Sequence, residues 1–379
     1  MASLWLSRLN LTAFRNHRSS LLEPTARPVL LTGPNGAGKT NLLEAVSLLA
    51  PGRGLRWAKT QEIQARASDA PWAVAAVVET AEGPRRIGTG RDPAAAGQGA
   101  ERRVLRLDGR NERSQAAFSR VLDVLWLTPQ MDGLWREGAD ERRRFLDRLV
   151  FAFDPAHAGR VSGYENSLRQ RARLLQDGSG EAVWLSALEE TMAERGVAIE
   201  AARSALVARL LQATHTVREA AFPKCGLELS GVLNRWLAEG SALEAEERLR
   251  AALFDGRGRD AEQGGSGVGP HRSDLVARHL GKDCPAALCS TGEQKVLLVG
   301  LILAHARLVA LERGRPPLLL LDEVAAHLDA ARREALYDEI LSLGLQAWLT
   351  GTEPSIFEGL LGCADVFQLA EGRLSEGRP

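Results

Sequence analysis

The sequence predicts an α/β fold built from both chain ends, with a mainly helical lobe inserted between them and no long coiled coil. Three observations predict it. A short apolar run, Val29 to Leu31, passes through a glycine-rich loop into a segment with Leu42, Leu43, Val46 and Leu49 on one helical face. From about Phe118 to Phe254 the apolar period becomes helical. Beyond that, Leu318–Leu321 and Leu345–Leu349 are continuous apolar runs, as parallel strands covered on both faces carry. The expected boundaries are 1–117 and 262–379 for the α/β domain and 118–261 for the insertion.

The elements follow in order. Leu4, Leu6, Leu9 and Leu11 between polar residues give one or two opening strands. Ala73–Val78 and Val104–Leu107 read as further strands, the second turning at Asp108-Gly109. Asp92–Gly99, rich in Pro, Ala and Gly, reads as a mobile loop. Asp140 and Glu141 suit the positive start of a helix that carries Phe145 and Leu149 inward. Tyr164–Gln176, Ala182–Leu211 and Ala242–Leu253 read as more helices, separated by Asp177–Gly180 and Phe222-Pro223. These breaks leave no sustained heptad. Glycine-rich Arg257–Gly269 reads as a linker, and Val296–Leu311 as a buried helix too short to span a bilayer. Val366–Leu369, Ala370-Glu371-Gly372 and Arg373-Leu374 read as a closing hairpin.

Composition narrows the function classes. Forty-eight Lys+Arg balance 48 Asp+Glu, which excludes a strongly basic coat but leaves room for a local patch. The lysines are only Lys39, Lys59, Lys224, Lys282 and Lys295. Cys225, Cys284, Cys289 and Cys363 form no CxxC pair and no metal-ligand spacing, so free thiols in a reducing cytoplasm are expected. The opening MASLWLSRLNL lacks the apolar run of a signal peptide. The expectation is a cytosolic protein with no membrane partner.

The chemistry concentrates in three places. Gly33-Pro34-Asn35-Gly36-Ala37-Gly38-Lys39-Thr40 satisfies G-x-x-x-x-G-K-[ST], with Asn41 the next residue on the binding side. Glycines let backbone N–H groups curl around phosphate oxygens, and the following helix presents its positive end. Lys39 can reach the β- and γ-phosphates, and the Thr40 hydroxyl can ligate Mg²⁺. Leu318–Leu321 ends in Asp322-Glu323, where Asp322 is the metal-side carboxylate and Glu323 the general base. Ser290-Thr291-Gly292-Glu293-Gln294-Lys295 precedes the apolar helix. Ser290 with Glu293 fits a capping box, which leaves Gly292 unexplained. The sharper reading makes Ser290, Gly292 and Gln294 a γ-phosphate site offered to a nucleotide on a second subunit, with Asp329 at the cross-link.

Glycine loop, Ser-x-Gly-x-Gln and leucine-run Asp-Glu, in this order, resemble the ABC-type ATPases. Lys39 and Ser290 are 251 residues apart, too far for the usual transporter subunit and too close for the arms of SMC proteins. The local sequences resemble the SMC-like RecF family of bacterial recombination mediators. The matching stretches are Leu11–Arg18, the glycine loop, Gly52–Arg56, Arg143–Asp147, Gly269–Leu275, Ser290–Lys295 and Asp322-Glu323. That resemblance implies an ABC-type ATPase head and a weak, DNA-stimulated ATPase whose bound ATP, with Mg²⁺, joins two heads. Each site would use Gly33–Thr40 of one protomer and Ser290–Gln294 of the other. It also implies binding to single-strand/double-strand junctions at DNA gaps, and work with RecR and RecO in loading RecA. Gln130 would sense γ-phosphate and Mg²⁺ by the same resemblance. The chain departs from the wider pattern in two places. Thr350-Gly351-Thr352 stands where transporter-type ATPases carry a switch histidine, and Gln130 where many relatives carry an acid.

Softer signals remain. Arg85 to Arg120 holds nine arginines against four acids, and Arg102, Arg106 and Arg110 could face DNA phosphates. Arg142-Arg143-Arg144 lies among Asp140, Glu141 and Asp147, which favours structural ion pairs. The eight tryptophans follow no spacing and are read as core. His271 and Arg272 are read as structural support, Arg15 and Asn16 as nucleotide-side contacts by resemblance. The alternatives are a transporter's motor subunit and a scaffold that binds ATP without hydrolysing it.

Overall fold

The computed structural model describes residues 4–65, 68, 70–92, 103–178, 181–214, 221–370 and 373–376. They fall into two compact units. The first comprises Met1–Asp132, Ala213–Pro223 and Ser290–Pro379, the second Gly133–Gln212 and Lys224–Cys289. The chain therefore divides at other residues than the expected 117/118 and 261/262, for reasons of strand pairing given below.

The first unit opens with β1 (Trp5–Phe14), β2 (His17–Leu22), β3 (Val29–Thr32), α1 (Lys39–Ser47), α2 (Thr60–Ile63), β4 (Ala73–Thr80), β5 (Gly83–Arg91), β6 (Arg103–Leu107), β7 (Arg110–Glu112), α3 (Ala116–Ser119) and β8 (Val124–Leu127). The second unit supplies α4 (Ala139–Phe151), α5 (His157–Asp177), α6 (Ala182–Thr214, its last residues in the first unit), β9 (Cys225–Ser230), α7 (Val232–Glu239), α8 (Ala242–Asp255), α9 (Arg257–Gln263), β10 (Asp274–His279) and β11 (Cys284–Pro285). The first unit then resumes with α10 (Thr291–Arg313), β12 (Leu318–Leu321), α11 (Ala330–Ser342), β13 (Ala347–Gly351), β14 (Asp365–Ala370) and β15 (Arg373–Glu376).

Two six-stranded sheets make the first unit. One is antiparallel, in the order β2-β1-β4-β5-β6-β7; the other runs β15-β14-β3-β13-β12-β8. In the second, β14, β3, β13, β12 and β8 are mutually parallel and β15 closes an antiparallel hairpin on β14. Every residue of β3, β8, β12 and β13 is buried, which is why their sequences are runs of apolar residues rather than alternating, with Thr32 and Thr350 the buried polar members near the strand ends. Leu9, Leu11, Val74, Val78 and Ile87 of the first sheet share one core with Leu42 and Val46 of α1 and with Leu31, Trp126, Leu320 and Trp348 of the second.

Four expectations are corrected. Val124–Leu127 is a strand, not part of a helical lobe: it pairs in parallel with β12, Leu127 against Leu321, and so carries residues 118–132 into the first unit. A four-residue apolar run has no period of its own, and its helical surroundings set the reading. Residues 262–289 belong to the second unit because β10 pairs along its length with β9, Leu275 against Leu229. The supposed linker begins as helix α9, whose Asp260 is buried and accepts from Arg171 at 2.9 Å. The apolar helix is longer than expected. α10 spans 23 residues and meets the length and composition of a membrane span, yet 83% of its most apolar stretch is buried inside the protein. The Asp92–Gly99 loop, Arg102, and the turns at Ser179-Gly180 and Glu371-Gly372 lie wholly or mainly outside the described residues.

The second unit packs Tyr164, Met192, Val197, Leu233, Leu249 and Leu253 into one core. Much of its polar interior is paired, although among the described residues His157 Nδ1 and Glu200 Oε2 are buried without a hydrogen-bond partner. Arg203 grips Asp147 through two bonds of 2.8 Å, and His157 approaches the same carboxylate at 2.8 Å. Burial works to raise the Asp147 pKa, but the Arg203 charge and the two hydrogen-bonding partners hold it at about 2. Arg142 chelates Asp274 at 2.7 and 2.8 Å, Arg143 bonds Asp140, and Arg144 bonds Glu141, the structural pairing expected for this run. His271 receives the Tyr164 hydroxyl at 2.8 Å and lies 2.9 Å from the Ser266 carbonyl, so it too serves structure. Of the tryptophans, Trp72, Trp126, Trp135 and Trp348 are core, but Trp57 and Trp184 are about half exposed, against expectation.

Candidate nucleotide-binding site

β3 delivers the glycine loop to the carboxyl end of a buried sheet. It is held there by β13 and β14, with Leu31 opposite Thr350 and Phe367. Gly33 has φ +145°, and a Cβ on it would stand 2.2 Å from the Leu369 carbonyl oxygen, so only glycine lets the strand turn here. Gly38, at φ +106°, caps α1 and makes room for the side chains of Asn16 and His17 behind the loop. No side chain caps α1 and no acid occupies its first turn, which leaves its positive end to an anion.

The stretches flanking this loop act as its brace. Asn16 donates to the Ala37 carbonyl at 3.1 Å, Asn41 donates to Asn16 at 2.6 Å, and Arg56 donates to Asn41 at 2.6 Å. Beneath them Glu44 is buried on α1 and receives Arg15 at 2.5 and 2.9 Å and Arg56 at 3.0 Å. His17 is buried between Ser20 and the Gly38 carbonyl; burial lowers its pKa against the pull of that carbonyl. Arg15, half-buried, is thus tied to α1, and Asn16, exposed, to the loop itself. Glu44 was not singled out from sequence, although a lone acid among Leu42, Leu43, Ala45 and Val46 is a signal that an ion pair must exist.

The reactive groups converge on the other side. Lys39 is buried to 5% exposure, and its Nζ donates to the carbonyls of Gly33 at 2.6 Å and Pro34 at 3.0 Å. Burial lowers its pKa, while the charges of Glu323 and Asp322 act to raise it. The Thr40 hydroxyl lies 2.9 and 3.0 Å from the two Asp322 oxygens. Asp322 is anchored by its N–H to Leu127 and receives a second hydroxyl, Thr350 Oγ1, at 2.8 Å. The N–H of Glu323 donates to that same Oγ1 at 2.9 Å, with Glu323 at φ +55°. Hydroxyl and carboxylate oxygens brought together beside an anion-ready helix end suit a hard divalent cation such as Mg²⁺.

Not every expected residue joins this group. Gln130 sits exposed on the turn Pro129–Gly133, leaving β8 at the same sheet edge from which Asp322 leaves β12, without a hydrogen bond to the loop. Ser290 caps α10: its backbone N–H donates to the Glu293 carboxylate at 2.9 Å and its hydroxyl oxygen accepts the Glu293 N–H at 3.4 Å, the capping box in full. Gly292 is exposed with open space where a Cβ would stand, and Gln294 is buried. Among the described residues, no hydrogen bond joins Ser290 or Gly292 to Gly33–Thr40. Asp329 caps α11 by accepting from the Arg332 N–H at 2.9 Å.

A phosphate loop after β3, with the acidic pair on β12 one strand removed, defines a class: an ABC-type ATPase head of the SMC-like kind. The chain belongs to the family described as RecF/RecN/SMC N terminal domain, whose model matches residues 5–372, and within it to the RecF proteins. It is 46% identical over 372 residues to the DNA replication and repair protein RecF of Mesorhizobium japonicum, covering 98% of this chain and 97% of that one. The protein of the same name from Brucella suis is 46% identical over 377 residues, with coverage of 98% and 96%. A solved structure of the recombination mediator protein RecF-ATPrS in the RecFOR pathway superposes with a TM-score of 0.85 at 23% identity, covering 98% of each chain.

Proposed function

We propose that the chain is an ATP-dependent DNA clamp of recombinational repair and replication restart, in which ATP joins two copies and is hydrolysed slowly. The observation that carries this reading is the Thr40–Asp322 contact at the foot of the glycine loop, with Lys39 beside it. Lys39 would leave the Gly33 and Pro34 carbonyls for the β- and γ-phosphates. Thr40 and Asp322 would hold Mg²⁺, with Gln130 at the same edge; the ion, when bound, neutralises phosphate charge. Glu323 would accept the proton of the attacking water. Ser290 and Gly292, exposed at the start of α10, suit a site completed by a second copy. The names of the relatives, all DNA replication and repair proteins, weigh against the transporter alternative.

The arginine face can be narrowed. Arg103 is turned inward to Thr89, Gly52 and Leu48, and Arg85 is paired with Asp108, so neither is free for DNA. Arg86 and Arg106 line a trough of about 260 Å³ on the antiparallel sheet, near Ala75 and Gly88; Arg8 from β1 also lines it but is paired with Glu23 at 2.8 Å, so it is set aside with Arg85. Arg86 and Arg106 are the phosphate contacts we favour, at gapped duplex and its single-strand/double-strand junctions. The RecFOR pathway named for the solved relative supports RecR and RecO as partners in loading RecA, in the cytoplasm.

Light scattering with and without ATP and a gapped duplex tests the mechanism. The wild type should dimerise with ATP, Lys39→Ala should stay monomeric, and Glu323→Gln should remain dimeric on DNA. A dimer that forms equally well without ATP, or Glu323→Gln turning over at the wild-type rate, would sink it.

A further inference from the structure

One side chain binds both members of the acidic pair, and it comes from neither of their elements. Thr350 stands on β13, the strand between β3 and β12. It is paired with Leu31 on one side and is one residue beyond the Leu321–Leu349 pairing on the other. Its side chain is fully buried at 1% exposure. The hydroxyl has one proton, which goes to Asp322 Oδ1 at 2.8 Å, and it accepts the Glu323 N–H at 2.9 Å. The two consecutive residues are thereby fastened to a single oxygen atom.

Each fastening controls a different side chain. Glu323 is in the left-handed region at φ +55°, which a glutamate visits only when its surroundings hold it there. The N–H that Thr350 receives belongs to that twisted residue. Asp322 is held from two directions. Thr40 approaches from the phosphate loop, where its hydroxyl is the group that would turn to a cation. Thr350 approaches from the sheet, and its bond to Asp322 survives such a turn.

We propose that Thr350 is the positioning residue of the hydrolytic centre: it sets the Asp322 carboxylate toward the cation and fixes the backbone from which Glu323 reaches the attacking water. It touches no nucleotide itself. The proposal rests on the roles given above to Asp322 and Glu323. Partners that orient ligands from behind in this way govern metal affinity and rate by about 10–100-fold.

The test compares Thr350→Val, which keeps the shape and removes both hydrogen bonds, with Thr350→Ser, which keeps both. Thr350→Ala removes the same bonds with less bulk and is measured beside them. Three quantities are read: kcat, KM for ATP, and the Mg²⁺ concentration at half-maximal binding of a fluorescent ATP analogue. Loss of the hydroxyl should lower kcat about 10–100-fold and raise the half-saturating Mg²⁺ by a similar factor. KM should stay within about threefold, as expected when an interaction serves the transition state more than ground-state binding. Serine should restore both quantities. Wild-type kcat and Mg²⁺ dependence in the valine or alanine variant overturns the proposal, as does a serine variant no better than valine. Asp322→Asn and Glu323→Gln run alongside. If these turn over normally, the assignment of the acidic pair fails; if they are inactive while Thr350→Val is normal, only the role of Thr350 fails.

Discussion

Glu44→Gln probes how the glycine loop is braced. The carboxylate is buried on α1 and takes three hydrogen bonds, two from Arg15 and one from Arg56. Charge-assisted bonds contribute about 1.5–3 kcal/mol each when fully buried. Here the arginine side chains are 19% and 32% exposed, so they recover hydration once the carboxylate is gone. Removing one partner of a fully buried pair costs about 3–5 kcal/mol; with that recovery the expected loss is about 2–3 kcal/mol. The amide keeps the volume, so no cavity contributes. Arg56 also holds Asn41, and Asn41 holds Asn16 against the loop, so nucleotide affinity should fall together with stability. Denaturant unfolding of the nucleotide-free protein gives the first quantity, and titration with a fluorescent ATP analogue the second. In Arg15→Met the same substitution should cost less, because one guanidinium is already absent. A Glu44→Gln variant within about 0.5 kcal/mol of wild type, inside the range of ordinary surface changes, would refute the brace.

Two further outcomes are expected. Gly33→Ala should lose about 2–5 kcal/mol through its positive φ and the overlap with the Leu369 carbonyl, and it should bind nucleotide poorly; unchanged melting would show that β3 and β14 are further apart than described. Burial, opposed by the Ser266 carbonyl and aided by Arg272, Arg143 and Arg203, lowers the His271 pKa from 6.5 to about 4. The unfolded chain then binds the proton first on acidification, so stability is lost as pH falls from 6.5 toward 4. Between pH 7 and 5 the loss is about 2 kcal/mol. His271→Gln should flatten that slope in paired denaturation curves, and an equal slope in both proteins counts against it.

What could be read from the sequence was what local chemistry dictates. The loop Gly33–Thr40 is legible because positive φ angles and close backbone approach demand glycine at set spacings. Asp322-Glu323 is legible because a leucine run must be a buried strand, and acids at its end must face something. Features set by distant pairing were not legible. β8 shows no more than four apolar residues, and its strand character comes from β12, nearly 200 residues later. β5 has Ile87 as its only large apolar residue, with Arg85, Arg86, Gly88 and Gly90 around it, so alternation gives no signal. The contacts of Thr350 were not legible either, since a hydroxyl at the end of β13 means nothing until Asp322 and Glu323 stand beside it. Ser290 shows the opposite case: the modest capping reading describes what it does within one chain.

The order β15-β14-β3-β13-β12-β8 has a consequence for synthesis on the ribosome. β3 ends at Thr32, yet both of its neighbours, β13 and β14, lie within residues 347–370. The antiparallel sheet β1–β7 and the whole second unit are complete before either partner emerges. The phosphate-loop strand therefore waits, unpaired and largely apolar, while β4 to β12 are made, a state that favours chaperone capture and aggregation. Emergence of β13 and β14 is the event that completes the strand pairing behind the phosphate loop, so a chain stopped short of β13 should fold in part and bind no ATP.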